Sequence, residues 1–408
     1  MKLFRLLLAV VPAPALAQTV TFDDVPVGVA PTDAGGTLTL YMDIYKPPGA
    51  TAPTPVLLWI HGGGWLNGSY NLGLPALAQP LLARGIAVAT IGYRLSSQAI
   101  FPAQIHDVKG AARFIRANAA SFGINPHRVG AWGTSAGGHL TALLATSGGV
   151  AAVEGATGGN ADMSSRVMAA VDYFGPTDIL NMSLDYNPPQ PGGPHDHPQS
   201  AESRLIGYDQ PGEGIGVLRA NQNNPATPFP QLINLVNLVN PVTHVTDDDP
   251  AMYIAHGVID PTVPIAQSTR LANALTPVGV PFTYTQVAGA GHGGLGASTD
   301  NAARDFLARY LLARDGDANL DGTTNISDFA ALASRFNQPG AWRHGDFDND
   351  GAVSIADFSR LAAGFNSSAP RAAIVPEPVA VAAAIPFALA RRRGRIPSAC
   401  RAEFSGLS

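Results

Sequence analysis

Three observations predict an α/β fold, a mostly parallel sheet with helices on both faces, followed by a small all-α module. From about residue 50 to 312, short apolar runs alternate with longer helical patterns, the arrangement that builds a parallel sheet covered by helices. That stretch matches the ~250 residues that one α/β domain can occupy. From Asp315 the composition changes, and one short acidic pattern occurs twice, 29 residues apart.

The elements follow in order. Residues 1–17 carry Lys2 and Arg5, the apolar run Leu6 to Val11, and Ala15-Leu16-Ala17. This is the layout of a secretory signal peptide cleaved before Gln18, and Pro12 and Pro14 argue against a buried helix there. A strand-like lead-in reaches Tyr45. Strands are predicted at Val56 to Ile60, Ala87 to Tyr93, Val129 to Trp132, Met168 to Phe174, Met252 to Ala255 and Phe282 to Val287. Helices are predicted at Pro102 to Ala120, Ser135 to Ala145 and Ala302 to Leu312. The stretch 180–245 is rich in Asn and Pro and breaks the alternation, so a lid or a solvated loop is expected there, inside a domain spanning 18–313.

Composition excludes other classes. A net charge of -5 with no basic stripe in the body of the chain leaves no electrostatic footprint for nucleic acid. Cys400 is the sole cysteine, so neither an intrachain disulfide nor a cysteine-based metal site can form. Charged residues make up 13%, half the usual ~25%, so the surface is unusually uncharged.

Gly133-Thr134-Ser135-Ala136-Gly137 lies between a predicted strand and a predicted helix. Glycines flanking a serine at that junction let the chain turn tightly and expose the hydroxyl, the layout of a nucleophile elbow. His61-Gly62-Gly63-Gly64-Trp65 follows another strand, where a glycine run can aim main-chain N–H groups at a developing oxyanion beside the amide of Ala136. Serine needs a base. Among ten histidines, His292 lies in a small-residue loop after the last strand and before the closing helix, in the chain order Ser, Asp, His. His61 is read as support for the glycine loop, and His106, His127 and His139, on helices or helix approaches, as structural. His195 and His197 in the insertion are open between substrate contact and solvation. The orienting acid is read as Asp260, which follows a strand. Its rivals are Asp178 and Asp247 to Asp249, the latter preceding their strand and so facing the other edge.

Together with Ile91-Gly92-Tyr93-Arg94-Leu95, Phe101-Pro102-Ala103 and Asp107, these motifs resemble the α/β-hydrolase esterases of the hormone-sensitive-lipase-like and feruloyl or acetyl-xylan esterase groups, over about residues 35–313. The resemblance implies the α/β-hydrolase fold and hydrolysis of carboxylic esters through an acyl-serine. In it Ser135 attacks, His292 relays the proton, Asp260 orients His292, and the amides of Gly63, Gly64 and Ala136 hold the oxyanion. Two alternatives stand beside it: a prolyl-oligopeptidase-type serine peptidase, disfavoured because no N-terminal propeller is recognisable, and a non-catalytic adhesion or scaffold protein, disfavoured by the intact triad.

The repeated pattern spans 314–366. Its first copy places oxygen ligands at Asp317, Asn319, Asp321, Asn325 and Asp328, with the carbonyl of Thr323 and a glycine at position 6. The second places them at Asp346, Asp348, Asp350, Ser354 and Asp357, with the carbonyl of Ala352. Hard oxygen donors at this spacing suit Ca²⁺. The final Asp in each loop, and a helix only after it, resemble a type I dockerin, which implies docking to a cohesin-domain protein. After a linker at 367–374, residues 375–395 hold Val375-Pro376-Glu377-Pro378, twelve mostly apolar residues and an arginine cluster. The apolar run is too short for a stable spanning helix, which needs ~20 residues. The segment resembles a PEP-CTERM sorting signal, which implies processing by an exosortase-type enzyme and delivery to the cell surface or extracellular matrix. Residues 396–408 form a tail.

Overall fold

The computed structural model describes residues 20–366. The signal segment 1–17, the linker 367–374, and the sorting segment and tail expected after it lie outside the described residues.

Eight strands form one sheet in the order β1-β2-β4-β3-β5-β6-β7-β8. They are β1 (Phe22–Pro31), β2 (Thr37–Tyr45), β3 (Thr54–Ile60), β4 (Ala87–Ile91), β5 (Ile124–Thr134), β6 (Ala169–Tyr173), β7 (Ala251–Gly257) and β8 (Phe282–Val287). From β4 to β8 every pairing is parallel, while β1 and β2 are antiparallel additions. The six strands read from apolar runs are present. Parallel strands covered on both faces lose the polar alternation of half-exposed strands and become near-continuous Val, Ile, Leu and Ala runs. The lead-in divides into two strands. β1 contains Asp23, Asp24, Pro26 and Gly28 and two register irregularities, a composition typical of an edge and nearly invisible to pattern reading.

Successive side chains point to opposite faces, so β3 feeds two cores. Val56, Leu58 and Ile60 pack beneath the helices Ala103–Ala117, Ala136–Thr146, Phe229–Val239 and Ala266–Leu275. Leu57 and Trp59 join Trp132 and Tyr253 against the closing helix Ala297–Leu311. The 103–117 helix buries Ile105, Val108, Ala112 and Ile115, spaced for one face of an α-helix. Arg94 and Asp107 make a buried bidentate pair (2.8 and 2.7 Å) that ties the end of β4 to this helix.

The insertion, expected as a lid or a solvated loop, is not a solvated loop throughout. Residues 187–192 are exposed, but the remainder winds into short helices, Ala201–Leu205 and Ile215–Ala220, and the longer Phe229–Val239. Leu205, Ile215, Leu218, Val236 and Val239 are buried in the first core. Helical spacing of Val236 and Val239, diluted by six Asn and four Pro from 221 to 241, is why the pattern is hard to read.

The duplicated region folds as two helices, Ile326–Arg335 and Ile355–Gly364, each opened by the same capping box, Asn325 with Asp328 and Ser354 with Asp357. Leu332, Trp342, Phe347, Val353 and Leu361 join the second core of the sheet. The module packs at the N-terminal ends of β5 to β7. Arg128 lies 4.1 Å over the Trp342 ring and pairs with Asp315, Arg335 pairs with Asp247, and Arg343 donates to the Asp249 carbonyl at 2.7 Å.

Candidate active site

Strand order reverses between β3 and β5: the chain passes from β3 outward to β4, then crosses back to β5. In open α/β sheets the crevice at the carboxyl ends beside such a reversal is where ligands bind. The Gly62-Gly63-Gly64 loop leaves β3 there and Ser135 leaves β5 there.

Ser135 has φ 56 and ψ −124, a strained conformation for a residue with a Cβ. Tight packing holds it. The Ser135 N–H donates to the Tyr173 carbonyl at 2.9 Å, and a Cβ on Gly133 would collide with the Gly137 carbonyl, one on Gly137 with the Ile60 carbonyl. Only glycine at both positions lets the turn seat itself between β3 and β6. The helix Ala136–Thr146 then starts immediately after the serine, so the Ala136 amide is among the first-turn N–H groups that have no carbonyl partner within the helix.

His292 comes from the loop after β8. Its Nε2 lies 2.9 Å from Ser135 Oγ and its Nδ1 2.7 Å from Asp260 Oδ2. A carboxylate can only accept, so Nδ1 carries the proton and the Nε2 lone pair faces the serine hydroxyl. Asp260 also accepts the amides of Thr262 (2.8 Å) and Val263 (3.0 Å) through Oδ1. Burial by itself would raise its pKa, but the hydrogen bonds from His256, His292 and these two amides outweigh burial and hold the carboxyl well below its usual range. The three residues chosen from the sequence are thus brought together from three loops. The rivals are elsewhere: Asp178 accepts from Asn181 (2.7 Å) and Asn240, and Asp247 and Asp248 pair with Arg335 and Arg166 at the opposite edge.

The other histidines sort by their partners. His61 stacks on Tyr93 (4.2 Å between centroids) and its Nδ1 bonds the Gly62 carbonyl at 2.8 Å, bracing the glycine loop as expected. His139 is fully buried. Trp65 Nε1 donates to its Nδ1 (3.1 Å) and its Nε2–H donates to the Val239 carbonyl (2.8 Å), joining the glycine loop, the elbow helix and the insertion. Burial pushes its pKa down to about 4. His127 lies inside β5 rather than on a helix, and its Nδ1 bonds the Asp348 carbonyl of the duplicated module at 3.2 Å. His106 bonds the Ala152 carbonyl at 3.3 Å. His195 holds Tyr186 Oη at 2.9 Å and Glu202 at 3.0 Å, and Tyr186 Oη reaches the carbonyls of Pro261 and Thr262, both at 3.1 Å. Sequence reasoning missed this brace, since Tyr186 meets the Asp260 loop only in the folded chain.

The sequence profile of the BD-FAE family matches residues 42–275, more than half of the chain. The chain belongs to the BD-FAE family. The BD-FAE match contains the glycine loop, Ser135 and Asp260, while His292 and the duplicated module follow it. Among curated relatives, esterase LipQ of Mycobacterium tuberculosis is 29% identical over 287 residues, covering 69% of this chain and 59% of its own. Esterase LipC of the same organism is 28% identical over 244 residues, 60% of this chain and 54% of its own. This BD-FAE chain therefore spans between half and three fifths of the length of the curated relatives it matches first. Among solved structures, a truncated carbohydrate esterase from gut microbiota superposes with a TM-score of 0.61 at 30% identity, covering 73% of this chain and 99% of that one. A bifunctional GH43-CE protein of Bacteroides eggerthii superposes at 0.57 with 32% identity, over 66% of this chain and 33% of that one.

Beyond the BD-FAE match, the two acidic loops have the same internal wiring. Asp317 accepts the amides of Asp321 (3.0 Å) and Gly322 (2.9 Å), and Asp346 those of Asp350 (3.2 Å) and Gly351 (3.0 Å). Asp328 and Asp357 each turn back to two amides at the loop start. Gly322 and Gly351, at position 6, have φ 92 and 98, a region that favours glycine. In the second loop one carboxylate oxygen from each of Asp346, Asp348 and Asp350 lies within 4.8 Å of the other two. Three gathered carboxylates are a donor set that suits a hard divalent cation.

Proposed function

We propose that this protein is a serine carboxylesterase that acts on short acyl esters, acetyl or feruloyl, carried by polysaccharide. The observation that carries the reading is the continuous hydrogen-bonded chain Ser135, His292, Asp260 on a strained serine at the sheet's switch point. His292 Nε2 takes the hydroxyl proton as Ser135 Oγ attacks the ester carbonyl, and Asp260 stabilises the imidazolium that forms. The amides of Gly63, Gly64 and Ala136 receive the oxyanion. His292 then returns the proton to the departing alcohol, leaving an acyl-serine, and activates the water that hydrolyses it. The carbohydrate class of the substrate is supported by the neighbours named above, a carbohydrate esterase and a bifunctional GH43-CE protein.

In this reading the duplicated module is a dockerin-type unit. Asp317, Asn319, Asp321, Thr323, Asn325 and Asp328 would hold one Ca²⁺, and Asp346, Asp348, Asp350, Ala352, Ser354 and Asp357 a second. The cation supplies positive charge that neutralises carboxylates gathered in each loop. A cohesin-domain protein is the proposed partner, and the N-terminal and C-terminal segments are proposed to direct export and exosortase-type sorting to the surface or matrix.

Ser135→Ala tests the catalytic reading. Hydrolysis of a short p-nitrophenyl ester is expected to fall by about 10⁶-fold, and retained turnover overturns it. Acetylated xylan, methyl ferulate and a peptide amide, supplied side by side, separate the polysaccharide ester from the peptidase alternative. For the module, chelation is expected to lower helical circular dichroism and the melting temperature of the full chain. An unchanged spectrum and melting temperature would remove calcium from the account.

A further inference from the structure

The geometry points to His256 as a positioning residue for Asp260, a fourth member of the chain that begins at Ser135. This rests on the catalytic reading above and extends it by one residue. His256 ends β7 four residues before Asp260, and its side chain is fully buried. Its Nε2 lies 2.9 Å from the Val263 carbonyl and 3.3 Å from Asp260 Oδ2, the same oxygen that accepts the hydrogen bond from His292 Nδ1–H. Its Nδ1 lies 2.7 Å from Ser268 Oγ on the helix Ala266–Leu275.

The donor roles can be assigned. The Val263 carbonyl only accepts, so Nε2 carries a proton and Ser268 donates its own to Nδ1. That single N–H is therefore shared between the two ends of the loop 260–263, closing it onto β7, while the serine holds the ring against the helix behind. Asp260 is fixed on one oxygen by two backbone amides and on the other between two imidazoles. The other polar groups facing this cluster are Asp172 on β6, fully buried, with Oδ1 on the Gly175 amide and Oδ2 without a partner, and Tyr186 from the insertion, whose hydroxyl reaches the Pro261 and Thr262 carbonyls. Neither makes a hydrogen bond to Asp260 itself. His256 is thus the side chain, besides His292, that meets the catalytic oxygen of the acid.

The consequence has a sign. An N–H shared with Asp260 Oδ2 withdraws negative charge from the atom that supports the His292 imidazolium. Removing it leaves that oxygen more negative, favours the imidazolium, and moves the acidic limb of kcat/KM to higher pH. It also frees the loop, so that His292 is held less firmly against Ser135; misplacement of this kind costs up to about 10²-fold in rate.

The test uses His256→Phe, which fills the space without a donor, and His256→Gln, which keeps a side-chain N–H. Both are assayed as full-length protein on a p-nitrophenyl ester, with active sites counted by a serine-directed phosphonate so that unfolded protein drops out. For His256→Phe, kcat per titrated site is expected to fall by about 10- to 100-fold with KM unchanged and the acidic limb raised, and His256→Gln is expected to recover most of the loss. If kcat per titrated site and the limb both stay at wild-type values, or if His256→Gln is no better than His256→Phe, the positioning role is overturned. Failure of the catalytic reading is distinct, because it shows as activity persisting in Ser135→Ala.

Discussion

The two edges of the sheet are built to opposite purposes. At the carboxyl edge, Ser135 is held in a strained conformation, His292 is partly open to solvent, and the loop after β3 presents glycine amides rather than side chains. The amino edge carries the duplicated module instead. Met168 shares the second core with Leu320 and Trp342 of that module, Arg128 lies over the Trp342 ring, and charge pairs such as Arg128 with Asp315 and Arg335 with Asp247 rim the contact. The difference teaches where this fold stores strain and where it stores stability. Strained backbone persists at one edge because the packing around it, from β3, β6 and the elbow helix, over-determines it.

If the edges are separate in function, substitutions at one should change rate and those at the other should change stability. The largest effect belongs to Asp260→Asn, which keeps the shape but presents an N–H to His292 and forces the wrong tautomer; kcat is expected to fall by about 10⁴-fold with the melting temperature nearly unchanged. A large loss of stability instead would mean that Asp260 serves the loop more than the histidine. Next comes Trp342→Ala, which removes a buried ring, its hydrogen bond to the Asp317 carbonyl (2.7 Å) and the platform beneath Arg128. Unfolding free energy should drop by about 3–5 kcal/mol, read by denaturant titration, while turnover per titrated serine stays constant. A fall in turnover per site would break the division between edges.

The smallest expected effect sharpens the carboxyl edge. His139 is held neutral in the folded state, with a pKa pushed down to about 4 by burial. The unfolded chain takes up a proton at this residue near pH 6.5 and the folded one does not, so its contribution to stability is complete above that pH and is lost as pH falls toward 4. It amounts to at most about 3 kcal/mol. His139→Gln should therefore flatten the decline of melting temperature between these limits; an unchanged slope would assign the acid sensitivity to other groups.

How far the sequence could be read depended on whether a signal was local. The elbow, the glycine loop and the acid loop each announce themselves within five to nine residues, because a strained turn at a strand end demands glycine in its neighbours. The two acidic loops were readable as a repeat for the same reason, a glycine at position 6 and oxygen side chains at alternate positions. His256 was in view, four residues from Asp260, yet nothing in the local pattern distinguishes an imidazole aimed at a carboxylate from one aimed at solvent. β1 and the insertion helices were obscured by Asp, Pro, Gly and Asn, residues that weaken periodicity wherever they occur.

What the sequence by itself determined is the parallel core and the choice of Ser135, Asp260 and His292 as candidates, since these follow from residue types at fixed short spacings. Only the tertiary structure decided which distant segments meet: that Val239 closes over His139, a hundred residues away, that Tyr186 meets the acid loop, and that Trp342 lies beneath Arg128. Those contacts form between surfaces that become complementary after the sheet has twisted and both cores have packed, and no spacing along the chain encodes that outcome.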